Sequence, residues 1–414
     1  MNIAIVGAGI VGVTTAYELA RDGHAVTVLE QRGAAAEEAS FASTGILAPA
    51  LLRPWAAPGA CGPLPVNVHG ASTLSSLTSS SGRADQRWLR QWRRRARNIS
   101  LPTLTALAQL ARYSQQQLNT TATALQADPE MRSGGLVALR SESMAETLEP
   151  TLQLLRDAGL PAQLLGAAEA RQLEPGLGEH APLAAAIHLP EAQVGNCRLF
   201  AHMLRQAAQE LGVQFAFGAQ VQRLHTTPVG LQIAGQPSPQ PFDAVVLCAG
   251  AAARELLQPL GLTPPLATLH GYTVSAPLRE DAIGPQGVTT DLQQQISITR
   301  LGQRIRVGGG AELGNAHQNV HHAPTLERLY RTLNDWFPGT ASMSAGVQIW
   351  RGSRCMSADG LPLVGASGQP GLWLNMGHGD SGWALASGCA RILADQMAQR
   401  SPALDATPLA CQRF

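Results

Sequence analysis

Asn2-Ile3-Ala4-Ile5-Val6-Gly7-Ala8-Gly9-Ile10-Val11-Gly12 opens the chain and decides its fold. Residues 2–6 are apolar and β-branched, the composition of a strand covered on both faces of a parallel sheet. Gly7, Gly9 and Gly12 form a G-x-G-x-x-G loop. Residues 10–22 then place Val13, Ala16, Tyr17 and Ala20 at helical spacing, Gly23 stops the helix, and residues 25–29 form a second strand that ends at Glu30. Such a loop alone is a weak signal. A strand before it, a helix after it and an acid at the end of the next strand make it a dinucleotide-binding βαβ unit.

Each position has a physical task. Gly7 makes the tight turn, Gly9 lets the backbone approach a pyrophosphate, and Gly12 lets helix and strand pack closely. Val6, Ala8, Ile10 and Val11 present their backbone to the same ligand, whose charge the helix N-terminus stabilises. Glu30 accepts hydrogen bonds from a ribose diol and repels a 2′-phosphate, so the expected ligand is FAD or NAD rather than NADP. Gln31 and Arg32 continue the edge of that site. The small, polar stretch through Ser43-Thr44-Gly45 suits a loop lying along the cofactor.

Composition narrows the function. The chain has 414 residues, enough for two or more domains, with 45% hydrophobic and 14% charged residues. A net charge of +1 gives no general attraction to nucleic acid, and no nucleic-acid partner is expected. Cys61, Cys197, Cys248, Cys355, Cys389 and Cys411 are far apart and form no C-x-x-C, so no metal site is expected. All 30 basic residues are arginine, which removes Schiff-base and P-loop chemistry. There is no signal-like N-terminus and no apolar run near the ~20 residues of a membrane helix, so a cytoplasmic location is expected.

Along the chain, residues 49–82 read as loop, with Pro54–Gly59 either a lid or a surface excursion. Residues 84–127 read as helices broken near Leu101-Pro102, and residues 145–159, 167–173 and 196–211 as further helices. Strands follow at 213–217 and 220–225, the latter carrying Val221 as a further cofactor candidate. Another at 242–248 leads to a second glycine turn at Ala249-Gly250. Residues 296–300 and 304–307 alternate around Leu301-Gly302-Gln303 as a β-hairpin. Residues 372–375 form a last strand before a helix reaching about 397. The expected class is α/β, with a discontinuous Rossmann-like cofactor domain (1–50, 185–265 and 345–414). An α+β substrate domain with a mostly antiparallel sheet takes 51–184 and 266–344.

Several residues are candidates for chemistry. Gly377, Gly379, Ser381 and Gly382 precede the last helix and aim free N–H groups and a positive dipole end at one spot, suited to the anionic end of a reduced flavin. His378, between them, either touches flavin or substrate or is a satisfied structural group. Arg354 is read either as a planar clamp for a substrate carboxylate or as the partner of an acid such as Asp359. Tyr272 is either a hydroxyl donor or a core aromatic. Residues 83–97 hold seven arginines with Trp88 and Trp92, which suits an anionic membrane surface; a solvated helix face is the plainer reading.

These motifs together resemble the D-amino acid oxidase superfamily of flavoproteins, in particular its bacterial D-amino acid dehydrogenase branch. The likeness runs almost end to end: the opening fingerprint, the Pro54–Gly59 loop, Leu110-Ala111-Arg112-Tyr113-Ser114 and Gly271-Tyr272. It continues through Ile298-Thr299-Arg300, Arg304-Ile305-Arg306-Val307-Gly308-Gly309 and Asp359-Gly360. It closes on Leu372-Trp373-Leu374-Asn375, Gly377-His378-Gly379 and Gly382-Trp383. The resemblance implies non-covalent FAD, a carboxylate clamp at Arg354, and oxidation of a small, apolar D-amino acid. By this likeness hydride passes from Cα to flavin N5, and the imine hydrolyses to a 2-oxo acid and ammonia. It also implies a respiratory electron acceptor such as a quinone and a peripheral position on the inner face of the cytoplasmic membrane. Alternatives are an oxygen-using oxidase of glycine, N-methyl amino acids or cyclic imino acids, and a non-catalytic flavin-binding subunit. Ser43, His270, Cys355 and Ala358 depart from the usual pattern around the expected active site, and Cys355 raises the question of a covalent flavin link.

Overall fold

Alternation along the first strand sends its side chains into two different cores. Ile3 and Ile5 of Asn2–Val6 pack with Val26, Val28 and Val246, while Ala4 and Val6 pack with Leu29, Val245 and Leu247. Parallel strands are joined by crossovers that cover both faces of the sheet, and this strand has parallel neighbours on both sides. Asn2–Val6 lies between Ala25–Glu30 and Ala244–Leu247, parallel to both. Gln214–Phe217 extends one side, Leu372–Met376 the other, and antiparallel Leu363–Ala366 forms the edge of this six-stranded sheet. Helices Ile10–Arg21, Cys197–Glu210 and Gly382–Met397 bury Leu19, Phe200, Leu204, Leu385 and Ile392 against one face. Each such side chain contributes about 1.5–3 kcal/mol on burial. The other face is covered by the small antiparallel sheet Val221–Thr226, Val229–Ile233 and Gln240–Pro241. This structure, a computed structural model, describes residues 1–51, 74–77, 82–96, 101–279, 284–313 and 323–414. The Pro54–Gly59 segment therefore lies outside the described residues.

A second, mixed sheet of nine strands stands beside the first. Leu266–Pro277 is flanked by Gln348–Ser357 and Arg304–Leu313, both antiparallel to it. The expected hairpin is Ile296–Leu301 with Arg304–Leu313, turning at Gly302 with φ +56°. Val288–Asp291, Gly135–Leu139, Ala185–His188 and Gln163–Gly166 continue the order, and Leu74–Leu77 is the ninth strand, pairing with Arg304–Leu313 off this path. Tyr272, Val274, Ile296, Ile298, Ile305 and Val307 face helix Ala323–Trp336, and the intervening residues face the cofactor half. Ala185–His188 and Gln348–Ser357 hydrogen-bond into this sheet, although the sequence division sets them with the cofactor domain.

Helix Arg83–Ala96 corrects one expectation. Trp88, Leu89 and Trp92 are buried against Ala267, Leu269, Leu313 and Met356, and Trp88 Nε1 donates to the Met356 carbonyl at 3.0 Å. The tryptophans belong to the protein's own core and offer nothing to a bilayer. Arg83, Arg87, Arg90, Arg93 and Arg94 stay exposed on the outer side, and Arg97 lies outside the described residues. The following helix, Leu101–Ala124, carries Pro102 in its first turn, where a missing N–H costs nothing. Among the described residues no helix is long and apolar enough to cross a membrane.

Candidate functional site

At the nucleotide end, three glycines do three different things. A Cβ on Gly7, whose φ is +104°, would lie 2.7 Å from the Cys248 carbonyl oxygen, and one on Gly12 would lie 1.9 Å from the Gly7 carbonyl oxygen. Both positions are backbone-to-backbone contacts that exclude any side chain. A Cβ on Gly9 would meet nothing closer than Ser40 Oγ at 3.5 Å, so Gly9 leaves its face open for a ligand. Gly9 is also the N-cap of helix Ile10–Arg21 and supplies no side-chain cap; Ile10 N donates to Ser40 Oγ at 3.0 Å. Glu30 is buried, and its carboxylate accepts from Ala8 N at 2.7 Å and Arg32 N at 2.8 Å. Those bonds hold the acid beside the loop while its remaining lone pairs can take ribose hydroxyls. Gln31 is exposed, and the Arg32 side chain pairs with Glu38. Val6 ends the first strand, Val11 sits in the first helical turn, and Val221 begins its strand two residues after Ala219, whose N–H reaches the Glu30 carbonyl. Gly250 opens the second turn with φ +52°. The open glycine face, the positive end of helix Ile10–Arg21 and the fixed buried acid fit the adenosine and pyrophosphate part of FAD.

A cavity of about 250 Å³ continues from Ile10 and Ser40 to the nine-stranded sheet. Ser43 and Thr44 line it and are held by donors from elsewhere in the chain. Arg306 Nη1 donates to the Ser43 carbonyl at 2.6 Å, Thr299 Oγ1 to the Thr44 carbonyl at 2.9 Å, and Trp383 Nε1 to the Gly45 carbonyl at 3.1 Å. Gly45 has φ +77°, and a Cβ there would lie 2.1 Å from the Gly195 carbonyl oxygen. Arg306, which the sequence reading did not single out, is pushed down to about 10 by burial.

The C-terminal loop closes the opposite wall. Gly377 and Gly379 have φ values of +80° and +61°, and Gly379, Ser381 and Gly382 line the cavity. Helix Gly382–Met397 starts there without a side-chain cap, so its positive end faces the cavity. His378 is not brought to the site: it lies outside the cavity lining, buried beneath the loop. Burial pulls its imidazole down to about 3, leaving it neutral.

Arg354 lines the cavity from strand Gln348–Ser357, opposite Leu269 of the neighbouring strand. Its Nη2 donates to the Gly310 carbonyl at 3.0 Å. A Cβ on Gly271 would sit 2.4 Å from that nitrogen, so this glycine gives the guanidinium its place. Asp359 is not its partner. It pairs with Arg413 at 2.9 Å and accepts from Ser357 Oγ at 2.9 Å. Among the described residues Arg354 has no carboxylate partner. Tyr272 contributes its ring to the lining, but its hydroxyl is committed: it lies 2.9 Å from both oxygens of Glu312 and accepts from Arg351 Nε at 3.2 Å. The core-aromatic reading therefore fits Tyr272 better than the free-donor reading. Cys355 is outside the cavity, and burial pushes its thiol up to about 12, which leaves it protonated rather than nucleophilic. Trp350, also missed in the sequence, lines the cavity and stacks on Phe41 with ring centroids 4.4 Å apart. Among the described residues no group of acids, histidines and cysteines could hold a metal ion.

Residues 2–396 match the family model described as FAD dependent oxidoreductase. The chain is 36% identical over 425 residues to the D-amino acid dehydrogenase of Cereibacter sphaeroides strain ATCC 17029, covering 100% of this chain and 95% of that protein. The glycine oxidase of Geobacillus kaustophilus has a similar structure, with TM-score 0.77, 22% identity, and coverage of 100% of this chain and 98% of that one. The L-proline dehydrogenase of P. horikoshii gives TM-score 0.74 at 16% identity, covering 100% and 97%.

Proposed function

The chain belongs to the family of FAD-dependent oxidoreductases, and we propose that it oxidises small D-amino acids to 2-oxo acids and ammonia. The observation that carries this reading is Arg354, a guanidinium on the cavity wall with no carboxylate partner among the described residues. Its fork takes both oxygens of a substrate carboxylate, a charge-assisted contact worth about 1.5–3 kcal/mol. The full-length likeness to a D-amino acid dehydrogenase supports the choice of substrate class. FAD, when bound, supplies the hydride acceptor.

The protein's own work is orientation. Gly271 and the Gly310 carbonyl fix where Arg354 points, and so where the substrate α-carbon lies. Asp380 is the one carboxylate among the described lining residues, and it is exposed on the C-terminal loop. No buried protein base is therefore offered to the substrate, which suits an amine that arrives neutral. The positive end of helix Gly382–Met397 stabilises negative charge on that side of the cavity.

The two functional units are proposed as 1–50 with 185–265 and 345–414 for the cofactor, and 51–184 with 266–344 for the substrate. The substrate unit borrows strands Ala185–His188 and Gln348–Ser357. Electrons are proposed to leave to a respiratory quinone. The exposed arginines of helix Arg83–Ala96 supply the charge for docking on the inner face of the cytoplasmic membrane, without help from Trp88 or Trp92.

Anaerobic mixing with D-alanine tests the reading, with L-alanine, glycine, sarcosine and proline alongside. Bleaching of the flavin absorption by D-alanine but not L-alanine is the expected result; bleaching by none of the panel overturns it. Peroxide on readmission of air, without added quinone, would replace the dehydrogenase by an oxidase.

A further inference from the structure

Arg354 is not the only cation on the cavity wall. Arg328, on helix Ala323–Trp336, lines the same cavity together with Thr290, Gln294 and Gln295. Its helix neighbours Leu329, Leu333 and Trp336 pack into the apolar core behind the sheet. Arg328 itself is half-buried, and its Nε is buried without a hydrogen-bond partner among the described residues. The acids that might have paired with it are engaged elsewhere. Glu327 pairs with Arg331, Asp335 with Arg140, and Asp291 with both Arg140 and Trp336 Nε1. Burial shifts the Arg328 guanidinium downward, and no carboxylate among the described residues offsets it.

A partly desolvated cation without a counter-charge costs some stability, and an arginine held in that state on a cavity wall is placed to meet an anion that arrives from outside. The cavity offers that anion a route. The hairpin strand Ile296–Leu301 pairs with Arg304–Leu313 only as far as Ile296 opposite Gly309. Gly309 and Gly310 also line the cavity, and Gly309 lies beside Gln295: a Cβ on it would sit 3.0 Å from the Gln295 carbonyl oxygen. Gly310 carries the carbonyl that holds Arg354. A ligand clamped at Arg354 and extended past these glycines would meet the polar group formed by Gln294, Gln295 and Arg328.

We propose that Arg328 is a second anion-recognising residue, which binds the side-chain carboxylate of an acidic D-amino acid while Arg354 binds the α-carboxylate. The proposal rests on the Arg354 assignment and extends the substrate class from small apolar side chains to dicarboxylic ones.

The FAD-loaded full chain tests it with two unreactive ligands, glutarate and butyrate, bound to wild type, Arg328→Gln, Arg328→Lys and Arg354→Gln and measured by calorimetry. Arg328→Gln should weaken glutarate by about tenfold or more, as loss of one charge-assisted bond implies, and leave butyrate unchanged. Arg328→Lys should keep part of the glutarate affinity, which separates charge from packing. In turnover, Arg328→Gln should raise the KM for D-glutamate without changing kcat or the KM for D-alanine. Unchanged glutarate binding in Arg328→Gln, or an equal loss for both ligands, overturns the proposal. Arg354→Gln should weaken both ligands. If it weakens neither while Arg328→Gln still separates them, the clamp reading fails and the second anion site stands.

Discussion

Two arginines, Arg391 and Arg354, show how differently the protein treats charge in its framework and on its cavity wall. Arg391 on helix Gly382–Met397 is saturated with acids: it pairs with Glu18 at 2.7 Å, Asp22 at 2.6 Å and Asp395 at 2.9 Å. Arg400 joins the same cluster through Asp22 and Asp395. These contacts tie the first helix to the last. Arg354 has a carbonyl and, among the described residues, no acid. In the framework, these charges are closed among themselves and serve the fold. On the cavity wall they are left for a ligand. The lesson is that an arginine's role follows from whether its carboxylates are already supplied by the chain.

Four measurements break or sharpen that contrast. The largest effect is expected at Arg391→Ala, which takes the shared cation from Glu18, Asp22 and Asp395 and leaves them only Arg21 and Arg400; stability should fall by about 3 kcal/mol, read by denaturant unfolding, with the KM for amino acids unchanged. Arg354→Ala should do the reverse. It should retain FAD and melting temperature but lose about 1.5–3 kcal/mol of substrate binding, on the order of 10–100-fold in kcat/KM. Normal turnover by that variant would end the clamp assignment.

Glu174 gives a pH-dependent version of the comparison. It is a buried acid outside the cavity whose Oε2 accepts from Gln286 N at 2.8 Å while Oε1 has no partner. Burial raises it from an ordinary 4.5 to about 7. The folded state therefore keeps a proton that the unfolded chain releases above 4.5. Its contribution to stability falls as pH rises from about 4.5 to about 7, and the loss persists above that. Glu174→Gln should flatten this slope, seen as a stability gain relative to wild type that is larger at about pH 8 than at about pH 5. An unchanged slope would show that the carboxyl titrates as if exposed. The smallest effect is expected at Arg331→Ala. Its pair with Glu327 is exposed on both sides, and its loss should change stability by under about 0.5 kcal/mol.

What the sequence made legible was what neighbouring residues decide among themselves. The βαβ unit, Glu30, the hairpin about Gly302 and the uncapped start of the last helix all follow from local spacing. Arg354 was visible as a candidate, but choosing between clamp and ion pair required knowing that Arg413 occupies Asp359, 54 residues away. The sequence leaves Tyr272 between a hydroxyl donor and a core aromatic because Glu312, 40 residues on, comes within reach of its hydroxyl only after the strands pair. The tryptophans of helix Arg83–Ala96 looked ready for lipid because their actual cover, Leu269 and Met356, comes from the far sheet. Arg306 and Arg328 are not set apart locally: each is one arginine among many until the fold brings Arg306 to the Ser43 carbonyl and Arg328 to the cavity wall.

The strand order of the six-stranded sheet has a consequence for synthesis. Ile3 pairs with Ala244, and Val245 in turn with Leu372. The strand before the glycine loop leaves the ribosome well ahead of Ala244–Leu247, and it stays without that neighbour until the intervening chain has been made. Glu18 and Asp22 wait longer still, for Arg391. During that interval the β-branched segment 2–6 is an open sheet edge, the kind of surface that nascent chains must keep from pairing with the wrong partner.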